Sequence, residues 1–337
     1  MQSQIAKLIA GGDLTAEEMT AAFETIMAGE ASDAQIGGFL VALAIKGETV
    51  EEIAAAARVM RAKVTPILPP AGRVVLDTCG TGGDRLHTFN ISTAAALIAA
   101  ASGATVAKHG NRSVTSASGS AEVLAELGVN INASVATVQR CLGQANIGFC
   151  FAPLLHGAMK YAVGPRKQLG VRTIFNILGP LTNPASARRQ VLGVFDAALT
   201  GTLARVLGEL GSEHALVVHG SDGLDEITLT GPTRIGEWAD GKLREYEMTP
   251  ADFGAEPIAL ADIQVSSPAE SAQMIRDVLA GEPGPAREIA CVNAAAACHV
   301  AGRAVDPRQG MQLCRDVIDS GRALRTLDQL IECSHSE

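Results

Sequence analysis

The sequence predicts an α/β protein in which a small N-terminal helical domain precedes a large α/β domain with a mostly parallel central sheet flanked by helices. Three observations carry that prediction. Helix-start signals repeat three times between Thr15 and Glu52. A unit of apolar strand, polar loop and helix then occurs twice in succession between Val74 and Leu127, and from there strands keep alternating with helical patterns. Such alternation implies parallel strands, because each crossover helix returns the chain to the same end of the sheet.

At the N-terminus each helix start pairs a hydroxyl N-cap with Glu or Gln three residues later: Thr15 with Glu18, Ser32 with Gln35, Thr49 with Glu52. Gly29 and Gly47 stop the first two helices. Met19, Phe23, Ile26 and Met27 share one face of the first. The second, Ile36 to Ile45, is apolar nearly all round and so is expected to be buried on more than one side. A unit this small has too little core to stand alone, so it should pack on the rest of the chain or on a second subunit, and the second helix, through Leu40 and Leu43, is expected to form a dimer interface. The prolines of the run Val64 to Gly72 forbid helix, and the expected boundaries are a helical domain at 1–65, a hinge linker at 66–71 and an α/β domain at 72–337.

The chain is organised around Asp77 to Thr93. Val74-Val75-Leu76 reads as a buried strand and Ala94 to Ala101 as a helix, with Gly80, Gly82 and Gly83 between them beside Thr81, Thr88, Asn90, Ser92 and Thr93. Glycines let backbone N-H groups approach a ligand, and a helix N-terminus adds free N-H groups and partial positive charge, so the stretch reads as a phosphate cradle. It is neither the dinucleotide fingerprint nor a nucleotide-hydrolase loop, lacking both the two-residue gap before a third glycine and a Gly-Lys-Ser/Thr ending. An ordinary tight turn is the plain alternative. The second unit runs from a strand at Ala104 to Ala107 through Lys108-His109-Gly110-Asn111-Arg112-Ser113-Val114-Thr115-Ser116 to a helix over Ser118 to Leu127, and the two loops should face one cleft at the strand ends. Further strands are expected at Ile147 to Phe151, Val191 to Phe195 and Ala215 to His219. An antiparallel excursion follows from Thr228 to Glu247, and helices return from Ser267.

Composition sets outer limits. Apolar residues make up 47% and charged residues 19% of 337, enough for a large core, and the net charge of -9 argues against general nucleic-acid or anionic-membrane binding. The first residues lack a basic segment followed by an apolar core, so no signal peptide is expected, nor a spanning helix, and the expected location is cytoplasmic. Seven cysteines, none in a Cys-x-x-Cys pair, read as reduced packing residues. Cys79 belongs with them and is not taken as a nucleophile.

Lys108 to Arg112 sets two cations, an imidazole and an amide within five residues. Beside the glycine loop this reads as a phosphate grip, with a solvated turn as the alternative. Asp225 and Glu226, beyond a strand end, suit magnesium, although isolated pairs are often solvated surface. Arg166 heads an expected helix capped by Gly170 and could clamp a carboxylate in two places, against the alternative of a helix-surface arginine. His109, His156, His214 and His219 share no ligand spacing, so zinc is not expected.

Gly80-Thr81-Gly82-Gly83-Asp84, Asn90-Ile91-Ser92-Thr93, Lys108 to Arg112, Gly164-Pro165-Arg166, Arg172 to Pro184 and Asp225-Glu226 resemble, in order and spacing, the motifs of the anthranilate phosphoribosyltransferase family. The resemblance runs from the N-terminal helices to the last segment. It implies a homodimer formed through the helical domains, which helices from about 165–185 would join, and the substrates phosphoribosyl pyrophosphate and anthranilate. It further implies that Gly80, Gly83, Asp84, Thr88, Asn90, Ile91, Ser92, Thr93, the loop Lys108 to Ser116 (Lys108, His109, Gly110, Asn111, Arg112, Ser113, Val114, Thr115, Ser116) and Ser120 hold phosphoribosyl pyrophosphate. Ser92, Asp225 and Glu226 would hold Mg2+, two ions per site, while Gly80, Asn111 and Arg166 would meet anthranilate, with Lys108, Asn111 and Arg166 as the catalytic set.

Two departures stand out. Arg85 and His87 replace the small residues common after the loop aspartate, and Ala117 stands where many members have lysine. The implied chemistry is displacement of pyrophosphate from ribose C1 through an oxocarbenium-like transition state. The arylamine is already neutral at pH 7, so positioning and charge stabilisation suffice without an obligatory base. The rival readings are a pyrimidine nucleoside phosphorylase, against which Asn111, the Asn90 to Thr93 motif and the carboxylate pair speak, and a non-catalytic nucleic-acid-binding relative, disfavoured by the acidic balance.

Overall fold

All three capping boxes form. In the computed structural model, which describes residues 1–112 and 119–336, Thr15, Ser32 and Thr49 cap α2 (Ala16–Ala28), α3 (Asp33–Lys46) and α4 (Val50–Ala62), with the reciprocal bonds from Glu18, Gln35 and Glu52 in place. A preceding helix, α1 (Gln2–Ile9), has no side-chain cap, and so left no start signal to read. Gly29 ends α2 with φ of 76°, a left-handed conformation that glycine adopts without penalty. Met19, Phe23, Ile26 and Met27 are buried as their spacing requires.

Beyond the helices the chain builds β1 (Val75–Gly80), α5 (Ile91–Ala101), β2 (Thr105–Gly110), α6 (Ser120–Glu126), α7 (Val135–Gln144) and β3 (Ile147–Phe151). A short turn α8 (Ala152–Leu155), then α9 (Lys160–Leu169) and α10 (Phe175–Leu178), lead to β4 (Arg189–Gly193), α11 (Leu199–Glu209), β5 (His214–Gly220), β6 (Thr233–Ala239) and β7 (Lys242–Met248). Four helices close the chain: α12 (Pro268–Ala280), α13 (Pro285–Val300), α14 (Pro307–Asp319) and α15 (Arg322–His335). Among the described residues the sheet has the order β3-β2-β1-β4-β5-β6-β7. Its first five strands are parallel and its last two antiparallel. Asp240 and Gly241, both at positive φ, make the two-residue hairpin turn between β6 and β7.

One face of the sheet carries α5, whose run of alanines is buried on all sides beneath α13 and α15. Small side chains let three helices and a sheet approach closely there. On the other face a single apolar cluster joins the N-terminal helices, Ile174 to Leu181, α11 and the strand residues Cys79, Leu192 and Val217. The helical unit therefore completes its core on the body of the chain. Segment 66–71 is not loose either: Thr65, Ile67 and Leu68 donate their N-H groups to Leu155, Pro184 and the Gln139 side chain.

Two expectations need correction here. Leu40 and Leu43 of α3, the residues singled out by its apolar character, are wholly buried in the protomer's own core, so the second helix is not apolar outward all round. Its exposed side carries small and apolar residues instead, Ala34, Gly38, Ala44 and Ile45, with Val41 partly covered. Arg166 does not head a helix. It lies in the last turn of α9, which starts at Lys160 and ends, as expected, at a left-handed Gly170.

Candidate active site

The cradle forms where β1, β2 and β4 end. Past Gly80 the backbone turns through left-handed Gly82 and Gly83, and Arg85 and His87 take positive φ as well. Thr81 pins the turn: its N-H donates to Gly193 O at 2.9 Å, and its hydroxyl accepts from Phe195 N-H at 3.1 Å. Arg172 holds the far side, donating to Gly83 O at 2.8 Å while its guanidinium lies 4.0 Å over the Phe195 ring. Residues 87–89 run beside 263–265, where Phe89 N-H donates to Ile263 O, Val265 N-H to His87 O, and Thr88 bridges Gln264.

Asn90 begins α5, its side chain accepting from Thr93 N-H at 3.0 Å and its own N-H donating to Ser271 Oγ at 2.9 Å. The first turn of an apolar helix thus opens towards the strand ends, its N-terminal N-H groups and dipole favouring an anion. Ile91 is buried in the core, leaving only its main chain to face a ligand. Thr93 is buried too, and its hydroxyl meets no partner among the described residues.

Lys108 is not on a loop. β2 extends through Gly110, and Lys108 is a buried strand residue whose ammonium donates to Thr78 O at 2.8 Å and Ser92 Oγ at 3.1 Å. Burial lowers its pKa, while Asp77 and Glu226 nearby favour the charged form. Strand alternation sends the next side chain to the opposite layer, so the His109 imidazole does not join the grip. It meets His156, Nε2 to Nε2 at 3.0 Å, and burial pushes the two rings down to about 3 and about 4, leaving both neutral. The His109 N-H donates to Asp77 Oδ1, and Asp77 Oδ2 has no partner among the described residues. Asn111 and Arg112 are exposed at the strand end, with Asn111 O accepting from Ser120 Oγ at 3.4 Å. Ser113, Val114, Thr115 and Ser116 lie outside the described residues.

Across the cleft Asp225 enters the glycine loop, Oδ2 accepting from Gly82 N-H at 2.8 Å. Room for it comes from glycines: a Cβ at Gly80 would stand 2.6 Å from Asp225 Oδ2, and one at Gly193 would strike the Asp225 main chain. Burial raises Asp225 to about 7, with Asp84 beside it adding to the effect, and raises Glu226 to about 8, with Asp225 and Asp84 adding and Lys108 opposing. Carboxylates so raised hold protons near neutrality until a cation displaces them. The donor set is oxygen only, Asp84, Asp225, Glu226 and the Ser92 hydroxyl, which fits a hard divalent ion such as Mg2+.

Gly80, Asp84, Ser92, Lys108, Asp225 and Glu226 are therefore gathered. Arg166 is not joined to them by any contact among the described residues. Its guanidinium packs 5.0 Å from the Phe175 ring centroid, and burial lowers its pKa. Gly193, Arg172 and Ser271, which shape or hold the site, were not assigned to it from sequence. Of these Gly193, a glycine ending an apolar strand, and Arg172, which opens the motif Arg172 to Pro184, left readable signals, while Ser271 left none. Cys79 is buried, accepts from Gln190 Nε2 at 3.2 Å and has its pKa raised well above the usual thiol value, as befits a packing residue.

Residues 2–64 match the helical bundle domain, and residues 72–324 the a/b domain, of the glycosyl transferase family. Within that class, this chain is 54% identical to the anthranilate phosphoribosyltransferase of Thioalkalivibrio sulfidiphilus, over 100% of this chain and 99% of that one. It is 51% identical to that of Laribacter hongkongensis, over 99% and 98%. The crystal structure of the Thermus thermophilus anthranilate phosphoribosyltransferase superposes with a TM-score of 0.93 at 40% identity, covering 99% of each chain. The Saccharomyces cerevisiae enzyme in complex with PRPP and Mg superposes at 0.91 and 28% identity, over 100% of this chain and 98% of that one. The chain belongs to the anthranilate phosphoribosyltransferase family.

Proposed function

We propose that this chain transfers the phosphoribosyl group of phosphoribosyl pyrophosphate to the amine of anthranilate, giving N-(5-phosphoribosyl)anthranilate and pyrophosphate, a step of tryptophan biosynthesis. The observation that carries the reading is the convergence of the glycine loop, the α5 N-terminus, Lys108 and three carboxylates at the ends of parallel strands. The loop N-H groups, Asn90, Ser92, Thr93, Lys108 and residues 112–116 take the phosphates. Asp84, Ser92, Asp225 and Glu226 hold Mg2+, and three carboxylates supply ligands for two ions. Bound magnesium neutralises charge developing on the leaving pyrophosphate. Lys108 adds a fixed positive charge behind Ser92, and being set in a strand it needs no reorganisation as that charge develops. Asn111 and Gly80 orient the acceptor, and Arg166 takes its carboxylate.

The same reading has the chain act as a cytoplasmic homodimer, supported by the small and apolar outward stripe of α3 and by seven buried, unbridged cysteines. Helical unit and α/β domain rotate slightly about the pinned segment 66–71 to bring acceptor and ribose together. Loss of anthranilate fluorescence, followed with phosphoribosyl pyrophosphate and Mg2+ supplied or withheld, tests the reaction. Arg166→Ala should raise KM for anthranilate at least tenfold and move that for phosphoribosyl pyrophosphate far less. Consumption without the cosubstrate, or equal weakening of both substrates, would overturn the respective assignment.

A further inference from the structure

A second cluster of potential ligands lies at the opposite end of the sheet. His214, Glu237 and His299 each offer one ligand atom, and the three atoms lie within 4.8 Å of one another. His214 opens β5, Glu237 stands on the antiparallel β6, and His299 is in the last turn of α13. β5 runs seven residues from His214 to Gly220. At about 3.3 Å per residue, this cluster sits roughly 20 Å below the strand ends that form the cradle.

The rings are prepared in the way metal ligands are. His299 Nδ1 lies 3.2 Å from Ala304 O, which can only accept, so Nδ1 carries the proton and Nε2 keeps its lone pair. His214 Nε2 lies 2.9 Å from Glu237 Oε1, and the two imidazoles meet edge to face with centroids 5.2 Å apart. Glu237 is buried and its Oε1 is engaged by His214, so its carboxylate is aimed and not free to turn to solvent. Beside the cluster opens a cavity of about 400 Å³ whose lining includes Glu237, His299, Tyr246 and Asp252. Arg244 lines it too, an adverse charge that is partly engaged by Asp240 at 3.8 Å.

We propose that His214, Glu237 and His299 form a binding site for a divalent transition-metal ion of the zinc class, separate from the magnesium-dependent cradle. Two imidazoles and one carboxylate, with solvent access for a fourth ligand, are a donor set that zinc takes and magnesium does not. Tetrahedral bonds of about 2.0–2.2 Å put ligand atoms roughly 3.4 Å apart, so the widest separation closes by up to about 1.4 Å while the 2.9 Å His214–Glu237 pair opens by about 0.5 Å. The ion takes the lone pair at His214 Nε2, and the proton now held between that nitrogen and Glu237 moves to Nδ1 or to solvent. Their spacing of 23 and 62 residues along the chain is why ligand-spacing rules miss the set.

The test uses the full chain, stripped with chelator and held in excess Mg2+ to fill the cradle. Titration with Zn2+ should show one tight equivalent and a rise in Tm, and Co2+ should give the strong visible absorption of a four-coordinate site. Glu237→Gln, which keeps a hydrogen bond to His214, and His299→Ala should each weaken Zn2+ binding at least tenfold and abolish the Tm rise. Catalytic turnover should stay unchanged. Absence of a tight equivalent in the parent chain, or an equivalent that survives both substitutions, would overturn the site and leave the three residues as a hydrogen-bonded pair with a packed ring. Circular dichroism of each variant shows that a lost equivalent is not lost folding.

Discussion

Gly80→Ala tests the geometry of the cradle with one methyl group. Gly80 does not use a left-handed conformation, so alanine is acceptable to the backbone, and the perturbation is confined to what its Cβ meets. That atom would stand 2.6 Å from Asp225 Oδ2, and ordinary contact begins near 3.4 Å, so the carboxylate must retreat by about 0.8 Å. It cannot do so and keep the 2.8 Å bond from Gly82 N-H. Losing a hydrogen bond to a charged acceptor costs about 1.5–3 kcal/mol, and each 1.4 kcal/mol is a factor of about ten. The Mg2+ concentration for half-maximal turnover should therefore rise about ten- to a hundredfold. Gly82→Ala is the contrasting control: it meets nothing within 4 Å but imposes a φ of +66° on alanine, so its cost of about 1–2 kcal/mol should fall on loop stability. Steady-state turnover against Mg2+, with melting curves of both variants, decides. A Gly80→Ala enzyme with the parent's Mg2+ dependence would refute the claim that Asp225 is positioned against that glycine to hold a cation.

Magnesium affinity should climb with pH between about 6 and 8 and level off above, because Asp225 and Glu226 must lose protons held up to about 7 and about 8. Both groups are raised on folding, so the metal-free chain loses stability as pH rises from the usual carboxylate range, near 4, through 8. The Mg2+-induced rise in Tm should accordingly be larger at pH 8.5 than at pH 6, and an equal rise at both would refute it. Leu40→Glu should unfold the helical unit, since a carboxylate replaces a wholly buried side chain. Val41→Glu with Ile45→Glu, on the outward face, should instead give folded monomers by sedimentation and circular dichroism; a dimer surviving that pair would place the interface elsewhere.

The parts of the architecture legible in the sequence were those written locally. Capping boxes, glycine stops and the strand-loop-helix rhythm each depend on neighbours within a few residues, and the strand Ile147 to Phe151 was bounded to the residue. The site divided the same way. Gly80 to Thr93 and Asp225-Glu226 announced themselves by residue type. Whether Lys108 and His109 act together did not, because that turned on where β2 stops, and strand ends depend on partner strands more than on local propensity. Leu40 lies inside the protomer, not at its outer face, for a related reason. An apolar helix says that several faces are covered, while only the fold says that Ala34, Gly38 and Ile45 are the uncovered ones.

The bonds that complete the cradle span long stretches of chain: 143 residues separate Gly82 from Asp225, and 181 separate Asn90 from Ser271. During synthesis the first glycine loop leaves the ribosome long before either partner exists, and at about 5–20 residues per second it waits on the order of ten seconds or more. For most of that interval β1 lacks β4 on one side, and throughout it α5 lacks the cover of α13 and α15. The apolar helix that later orders the phosphate site is thus an uncovered adhesive surface of the nascent chain, and its protection in the cell is a matter of timing as much as of final stability.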